Sequence, residues 1–280
     1  MKDLFYLVKA RVSVLAYVAA FDVTLLLATD FKLGFTLLLL STVSVYLISL
    51  ANYTLSDLMD IEEDMINKPG TPLASGMTSK RKASYFIAFM AITALFLGSF
   101  VNLEYEAFLA LSFGLAVIYS GHSIRAKSRW WSKMFVAGLG AFMAPFTVTS
   151  VAGPSVTIFL MSMIFALWGI FSLNMGDVMD FEGDKRVGVI SFAVMFGKKR
   201  AIKLLEVLLL AQLLAEICLT LSLNPHNILY VGVSVSMFLY FLNGIRKLDG
   251  VLAKKLKRSI RVLLILLQFA ALTFAFQGLF

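Results

Sequence analysis

Nine apolar runs, each close to the length of a membrane-crossing helix, constrain this chain more than any other feature. They cover approximately 11–29, 35–55, 84–101, 105–121, 134–152, 155–173, 201–222, 226–244 and 260–278. About 20 apolar residues in a helix cross a ~30 Å hydrocarbon core. In lipid the backbone must satisfy its own hydrogen bonds, which leaves the helix as the only structure for runs of this length. Residues are 60% hydrophobic and 15% charged, against about 45–50% and ~25% in soluble domains. The predicted fold is an all-α integral membrane protein, nine transmembrane helices in one bundle. It forms a single domain over 1–280, with no linker long enough to separate a soluble unit.

Charge orients the bundle. With the N-terminus inside, 24 of the 25 Lys and Arg residues fall on the cytoplasmic side or at the span ends flanking it, and Lys32 alone falls opposite. Such asymmetry is the positive-inside signature. The net charge of +8 is accounted for by topology and anionic headgroups rather than by nucleic acid. The N-terminus and the polar loops are therefore expected in the cytoplasm, and the C-terminus on the other side. Cys218 is the single cysteine, and His122 and His226 lie far apart, so cysteine–histidine metal chemistry is excluded within one chain.

Two of the runs end in the same acidic pattern. Asp57, Asp60 and Asp64 stand in SDLMDIEED, and Asp177, Asp180 and Asp184 in GDVMDFEGD, 120 residues apart. Positions i, i+3 and i+7 of a helix share one stripe. At an effective dielectric of ~20, two unit charges ~5 Å apart repel by roughly 3 kcal/mol, so carboxylates in such a row call for cations between them. Carboxylate oxygens suit magnesium, which takes a few protein ligands and completes its shell with water or phosphate oxygens. Both triplets fall on the cytoplasmic side. Each is followed by a loop with a glycine (Gly76, Gly197) and a basic cluster opening the next span. The chain thus reads as two four-helix pseudo-repeats plus one helix, an architecture that places a site between halves. Glu62, Glu63 and Glu182 lie off the stripe.

The stretch YSGHSIRAKSRWWSK, after the fourth span, adds Tyr119, Arg125 and Lys127 on the same side, and the acidic loops add Lys68 and Lys185. Metal ligands beside Lys and Arg suit a polyanion held partly through metal and partly directly. Arg129, Lys133 and Arg186 read as ordinary positive-inside residues, and Trp130 and Trp131 as interfacial anchors. Apolar spans beside a diphosphate site fit an isoprenoid tail. The chemistry that follows is ionisation of an allylic diphosphate, with Tyr119, and Tyr53 one turn above Asp57, facing the cation. Water must be kept out, because it would quench the cation to an alcohol.

These residues resemble the UbiA superfamily of intramembrane prenyltransferases. The family pattern NDxxDxxxD followed by NKPxRPxxSG stands here as SDLMDIEED and NKPGTPLASG. The second motif stands as DVMDFEGDKRVGVISFAVMFG, and the YS…R-x-K loop as Tyr119, Ser120, Arg125 and Lys127. The resemblance implies a helical bundle around a central cavity, two magnesium ions and a prenyl diphosphate donor. It gives the metal to the six aspartates, the diphosphate to Lys68, Arg125 and Lys127, and, near the second motif, Asn174 a place beside the substrate. Ser56 stands where the family usually has Asn, and Thr71 where it has Arg.

The FEGD form of the second motif resembles members that prenylate lipid or tetrapyrrole acceptors, and the leading expectation is transfer to geranylgeranylglyceryl phosphate in archaeal ether lipid synthesis. The alternative is an aromatic quinone precursor of the hydroxybenzoate or dihydroxynaphthoate type. No protein partner is expected beyond the bilayer. A divalent-cation transporter is the distant alternative. Such carriers place ionisable groups near the midplane, where only Asp22, Glu206 and Glu216 look intramembrane.

Overall fold

The computed structural model describes residues 6–8, 14–29, 32–67, 69–121, 126–223 and 228–246. Within them the chain is helical apart from turns and one isolated parallel bridge, Arg129 to Ile190. In chain order the helices are α1 (Val14–Ala28), α2 (Phe35–Met59), α3 (Ile61–Asn67), α4 (Lys80–Ser99) and α5 (Leu103–Ser120). A 3-10 turn, Ala126–Ser128, leads to α6 (Trp130–Phe146), α7 (Thr149–Ala152), α8 (Val156–Met179), α9 (Phe181–Val187), α10 (Phe192–Phe196), α11 (Lys198–Leu223) and α12 (Ile228–Arg246).

Among the described residues six segments are long and apolar enough to cross a membrane: α2, α4, α5, α6 with α7, α8, and most of α11. They match six of the nine predicted runs, and α1 and α12 coincide with the first and eighth. The ninth run, 260–278, lies outside the described residues. Starts follow local chemistry. Asn102 accepts the Tyr105 N–H at 2.8 Å and opens α5, with Glu104 and Glu106 in its first turn. Ser79 and Ser155 cap α4 and α8 in the same way, each side chain satisfying an amide that the helix leaves unpaired.

The pseudo-repeat is visible in the packing. In the first half α1 packs on α2, α2 on α4, and α4 on α5; in the second, α6 packs on α8, α8 on α11, and α11 on α12. Each half has its own apolar core. Phe21, Ile48, Leu50, Phe86 and Leu109 fill the first, and Trp168, Phe171, Leu205 and Phe241 the second. The halves meet through α5 against α6 and through α1, which touches α2, α6 and α8. The contact of α6 with α8 is close because it is made by small residues: a Cβ on Gly169 would stand 2.7 Å from the Ala141 Cβ. Backbones approach this way where glycine and alanine face each other.

Two intramembrane acids lie far from the acidic helix ends and are satisfied locally. Asp22 accepts from the Thr42 hydroxyl at 2.7 Å, and Glu216, 2% exposed, accepts from the Gln212 amide at 2.9 Å. They belong to different halves and form no common path.

Candidate active site

Both acidic motifs break their helix at the middle aspartate. Helix α2 stops at Met59 and α3 starts at Ile61, leaving Asp60 at φ −105°, ψ 11°. Helix α8 stops at Met179 and α9 starts at Phe181, leaving Asp180 at φ −90°, ψ 7°. The i→i−4 hydrogen bonds run through each break: Asp60 N–H to Ser56 at 3.0 Å and Asp64 N–H to Asp60 at 2.7 Å, Asp180 to Gly176 at 2.9 Å and Asp184 to Asp180 at 2.8 Å. The predicted continuous stripe is therefore interrupted at its middle aspartate, at similar φ and ψ both times. Two breaks of one shape, 120 residues apart, are the structural form of the repeat.

One short element serves both motifs. The Lys127 ammonium, in the 3-10 turn, is ion-paired with Oδ1 of Asp60, and Lys133, in the first turn of α6, donates to Oδ1 of Asp177 at 2.5 Å. The two acidic helix ends therefore lie at one face of the bundle, facing the 126–133 segment. That segment is docked on the loop after the second motif by the Arg129–Ile190 bridge. Trp130 clamps it further, edge-on to Phe192 at 5.6 Å and to Phe196 at 5.1 Å. Trp131 is 55% exposed, whereas Trp130 packs against the two phenylalanines. Lys133, read from sequence as a topological charge, is in the site. Only its partner's approach across the α6–α8 interface could have revealed it.

Asp64 and Asp177 are 5% and 4% exposed, Asp57, Asp60, Asp180 and Asp184 are half-buried, and Lys185 is exposed. Burial pushes the Asp184 carboxyl up to about 6, with the Ser191 hydroxyl and the Lys133 charge pulling the other way. Burial, and next the Lys133 ammonium, push Lys127 down to about 8, which leaves it charged at neutral pH. Tyr119, in the last turn of α5, packs in a small apolar cluster with Leu115, Val136 and Met143 and lies near enough to Asp177 to feel its charge. Tyr53 packs against the first core. Lys68 and Arg125 lie outside the described residues.

Asn174 sits one turn before Asp177 and so shares its face. It is fully buried; its amide nitrogen donates to the Ile170 carbonyl at 2.8 Å, and its Oδ1 has no partner. One of its two N–H groups is used in this way, and the Oδ1 is an acceptor without a partner. The free acceptor suits a cation, and the second N–H suits the diphosphate oxygen expected of Asn174. Among the described residues no three acidic, His or Cys side chains converge on one point. A closed carboxylate cage is thus absent there. What is present is a set of oxygens from two helix ends with cationic amines already on them, which fits magnesium held by one or two carboxylates and completed by a ligand's phosphates.

The UbiA prenyltransferase family model matches residues 13–276. Digeranylgeranylglyceryl phosphate synthase of Methanocaldococcus jannaschii is 28% identical over 218 residues, covering 74% of this chain and 70% of that protein. The 33 kDa chain of bacteriochlorophyll synthase from Cereibacter sphaeroides is 32% identical over 199 residues, covering 68% and 63%. Among solved structures, a UbiA homologue from Archaeoglobus fulgidus bound to GPP and Mg2+ superposes with a TM-score of 0.76 at 19% identity, covering 98% of this chain and all of that one. A structure described for digeranylgeranylglyceryl phosphate synthase in membranes gives 0.73 at 22% identity over 99% of this chain and all of that one. The twinned acidic breaks, the shared basic element and the helical bundle thus have one common explanation: this multi-pass membrane protein belongs to the UbiA prenyltransferase family and is a prenyltransferase.

Proposed function

We propose that this enzyme transfers a geranylgeranyl group from its diphosphate to geranylgeranylglyceryl phosphate, a step of archaeal ether lipid synthesis. The reaction class is supported above all by the single 126–133 element that pairs with both acidic motifs. The acceptor is supported by the relatives that carry the name digeranylgeranylglyceryl phosphate synthase, at 28–29% identity over 194–235 residues. Nine helices surround a central cavity, the acidic face and the N-terminus are cytoplasmic, and the C-terminus is on the opposite side.

Asp57, Asp60, Asp64, Asp177, Asp180 and Asp184, with the Oδ1 of Asn174, hold two magnesium ions. When bound, magnesium neutralises the departing diphosphate and favours breaking the allylic C–O bond. Lys127, with Lys68, Arg125 and Lys185, takes the diphosphate oxygens directly. The bond's electron pair leaves on the diphosphate; the acceptor hydroxyl supplies the pair for the new ether bond and gives up its proton. Tyr119 presents its ring to the allylic cation, and the apolar cluster around it keeps water from that carbon.

The test is the purified chain in lipid vesicles with magnesium and labelled geranylgeranyl diphosphate, offered geranylgeranylglyceryl phosphate and a hydroxylated aromatic acid in parallel. Label in the glyceryl phosphate product, lost on adding EDTA, is expected. Label in the aromatic product alone would overturn the acceptor. That second reading is favoured by one observation, the 30% identity over 184 residues to homogentisate phytyltransferase 1 of Arabidopsis thaliana.

A further inference from the structure

We propose that Lys133 is a resident counter-cation of the second acidic motif: it holds the Asp177 carboxylate until a divalent cation takes that oxygen, and then turns to the diphosphate of the donor. The inference rests on the metal role given to Asp177 above.

Lys133 reaches Oδ1 of Asp177 at 2.5 Å, with side chains only 13% and 6% exposed. A carboxylate this buried stays ionised only with a cation beside it, because an unpaired charge away from water is strongly unfavourable. Before metal arrives, Lys133 is that cation. The same oxygen cannot keep an ammonium in hydrogen-bond contact and also ligate a divalent ion at about 2.1 Å, since the two positive centres would repel at close range. Metal ligation through Oδ1 therefore expels Lys133.

The lysine has a nearby place to go. Its backbone is fixed by α6 and by the docked 126–133 segment, whereas its four-carbon stem is flexible and its ammonium binds phosphate as a point charge. The diphosphate is the new anion that arrives beside the metal. Lys127 stands on Asp60 in the same manner, so the segment presents one ammonium to each motif. The metal-free site is then neutralised from within, and loading proceeds by exchange of lysine for metal.

The experiment compares wild type, Lys133→Met and Lys133→Arg as full chains in detergent, titrated calorimetrically with Mn2+ in the absence of donor. Removing a unit positive charge about 4 Å from a carboxylate raises its affinity for a cation by roughly tenfold. Lys133→Met is expected to bind Mn2+ about that much more tightly, and to raise the KM for donor at saturating metal; Lys133→Arg restores both values toward wild type. Equal or weaker Mn2+ binding by Lys133→Met overturns the proposal. A wild-type chain that binds no Mn2+ overturns the metal reading itself, a separate outcome. The proposal also stands or falls on wild type alone, through amine acetylation of Lys133 read by mass spectrometry. Labelling is expected to be slow in EDTA, faster with Mg2+, and slow again with Mg2+ and inorganic pyrophosphate. A rate unchanged across the three conditions overturns it.

Discussion

The Lys127 ammonium is seated on Oδ1 of Asp60, the residue at which the first acidic helix breaks. This contact joins the 3-10 turn after the fourth span to the end of the second span, and it places a cation on a carboxylate of the first motif. Asp60→Asn should lower turnover at least about 100-fold, the scale of losing one group that stabilises the departing charge. It should also destabilise the metal-free protein by roughly 2 kcal/mol, less than the ~3–5 for breaking a fully buried pair, because the Asp60 side chain keeps 21% exposure. Steady-state kinetics and thermal unfolding in EDTA measure the two effects. Wild-type turnover in Asp60→Asn would remove Asp60 from the chemistry.

Asp184 gives metal binding and stability opposite pH slopes. Its carboxyl stands at about 6 in the folded, metal-free protein against about 3.9 for an unperturbed Asp, chiefly through burial. Between those values the folded chain holds more protons than the unfolded one. This group's contribution to stability is therefore full below about 4 and lost as pH rises through 6. Metal needs the deprotonated form, so Mn2+ affinity should fall as pH drops below 6. Titrations at pH 5, 6 and 7 check the sign, and Asp184→Asn should flatten both slopes. Affinity that rises on acidification would contradict the assignment.

Asn174 separates two chemistries. Its amide nitrogen is held by the Ile170 carbonyl and its Oδ1 is the open atom. Asn174→Leu should weaken Mn2+ binding by about tenfold, one charge-assisted interaction at ~1.4 kcal/mol, and leave the donor KM at saturating metal nearly unchanged. The reverse pattern would make it a diphosphate donor.

The α6–α8 contact sets the distance between Lys133 and Asp177. Gly169→Val inserts carbon where a Cβ already meets Ala141 at 2.7 Å, so the helices must part. Overpacking of this kind costs about 1–3 kcal/mol, and Lys133 should lose its reach to Asp177. The control is Gly140→Ala, whose Cβ meets nothing within 4 Å; in a helix it should be neutral or stabilising by up to ~1 kcal/mol. Thermal unfolding and Mn2+ titration of the two variants check the contrast, and equal behaviour would show that the spacing is not critical.

Much of this protein was legible in its residues because lipid leaves few choices. Apolar runs of membrane-crossing length become helices, as in Phe35–Met59 and Val156–Met179. A period of 120 residues between DLMDIEED and DVMDFEGD carries the same local chemistry to the same helix position twice, and the break at Asp60 is repeated at Asp180. Spacing alone could not show the break itself, since a straight helix and a kinked one place i, i+3 and i+7 alike in sequence.

The sequence by itself determined the helical membrane class, the doubled acidic ends and the residue types of the site, since these depend on local composition and period. The tertiary structure alone decided that Lys133 pairs with Asp177, 44 positions away, that Trp130 packs on Phe192 and Phe196, and that Asn174 offers an oxygen. A basic or aromatic residue beside a span has the same local signature whether it faces headgroups or a carboxylate. Only the approach of α6 to α8 distinguishes the two.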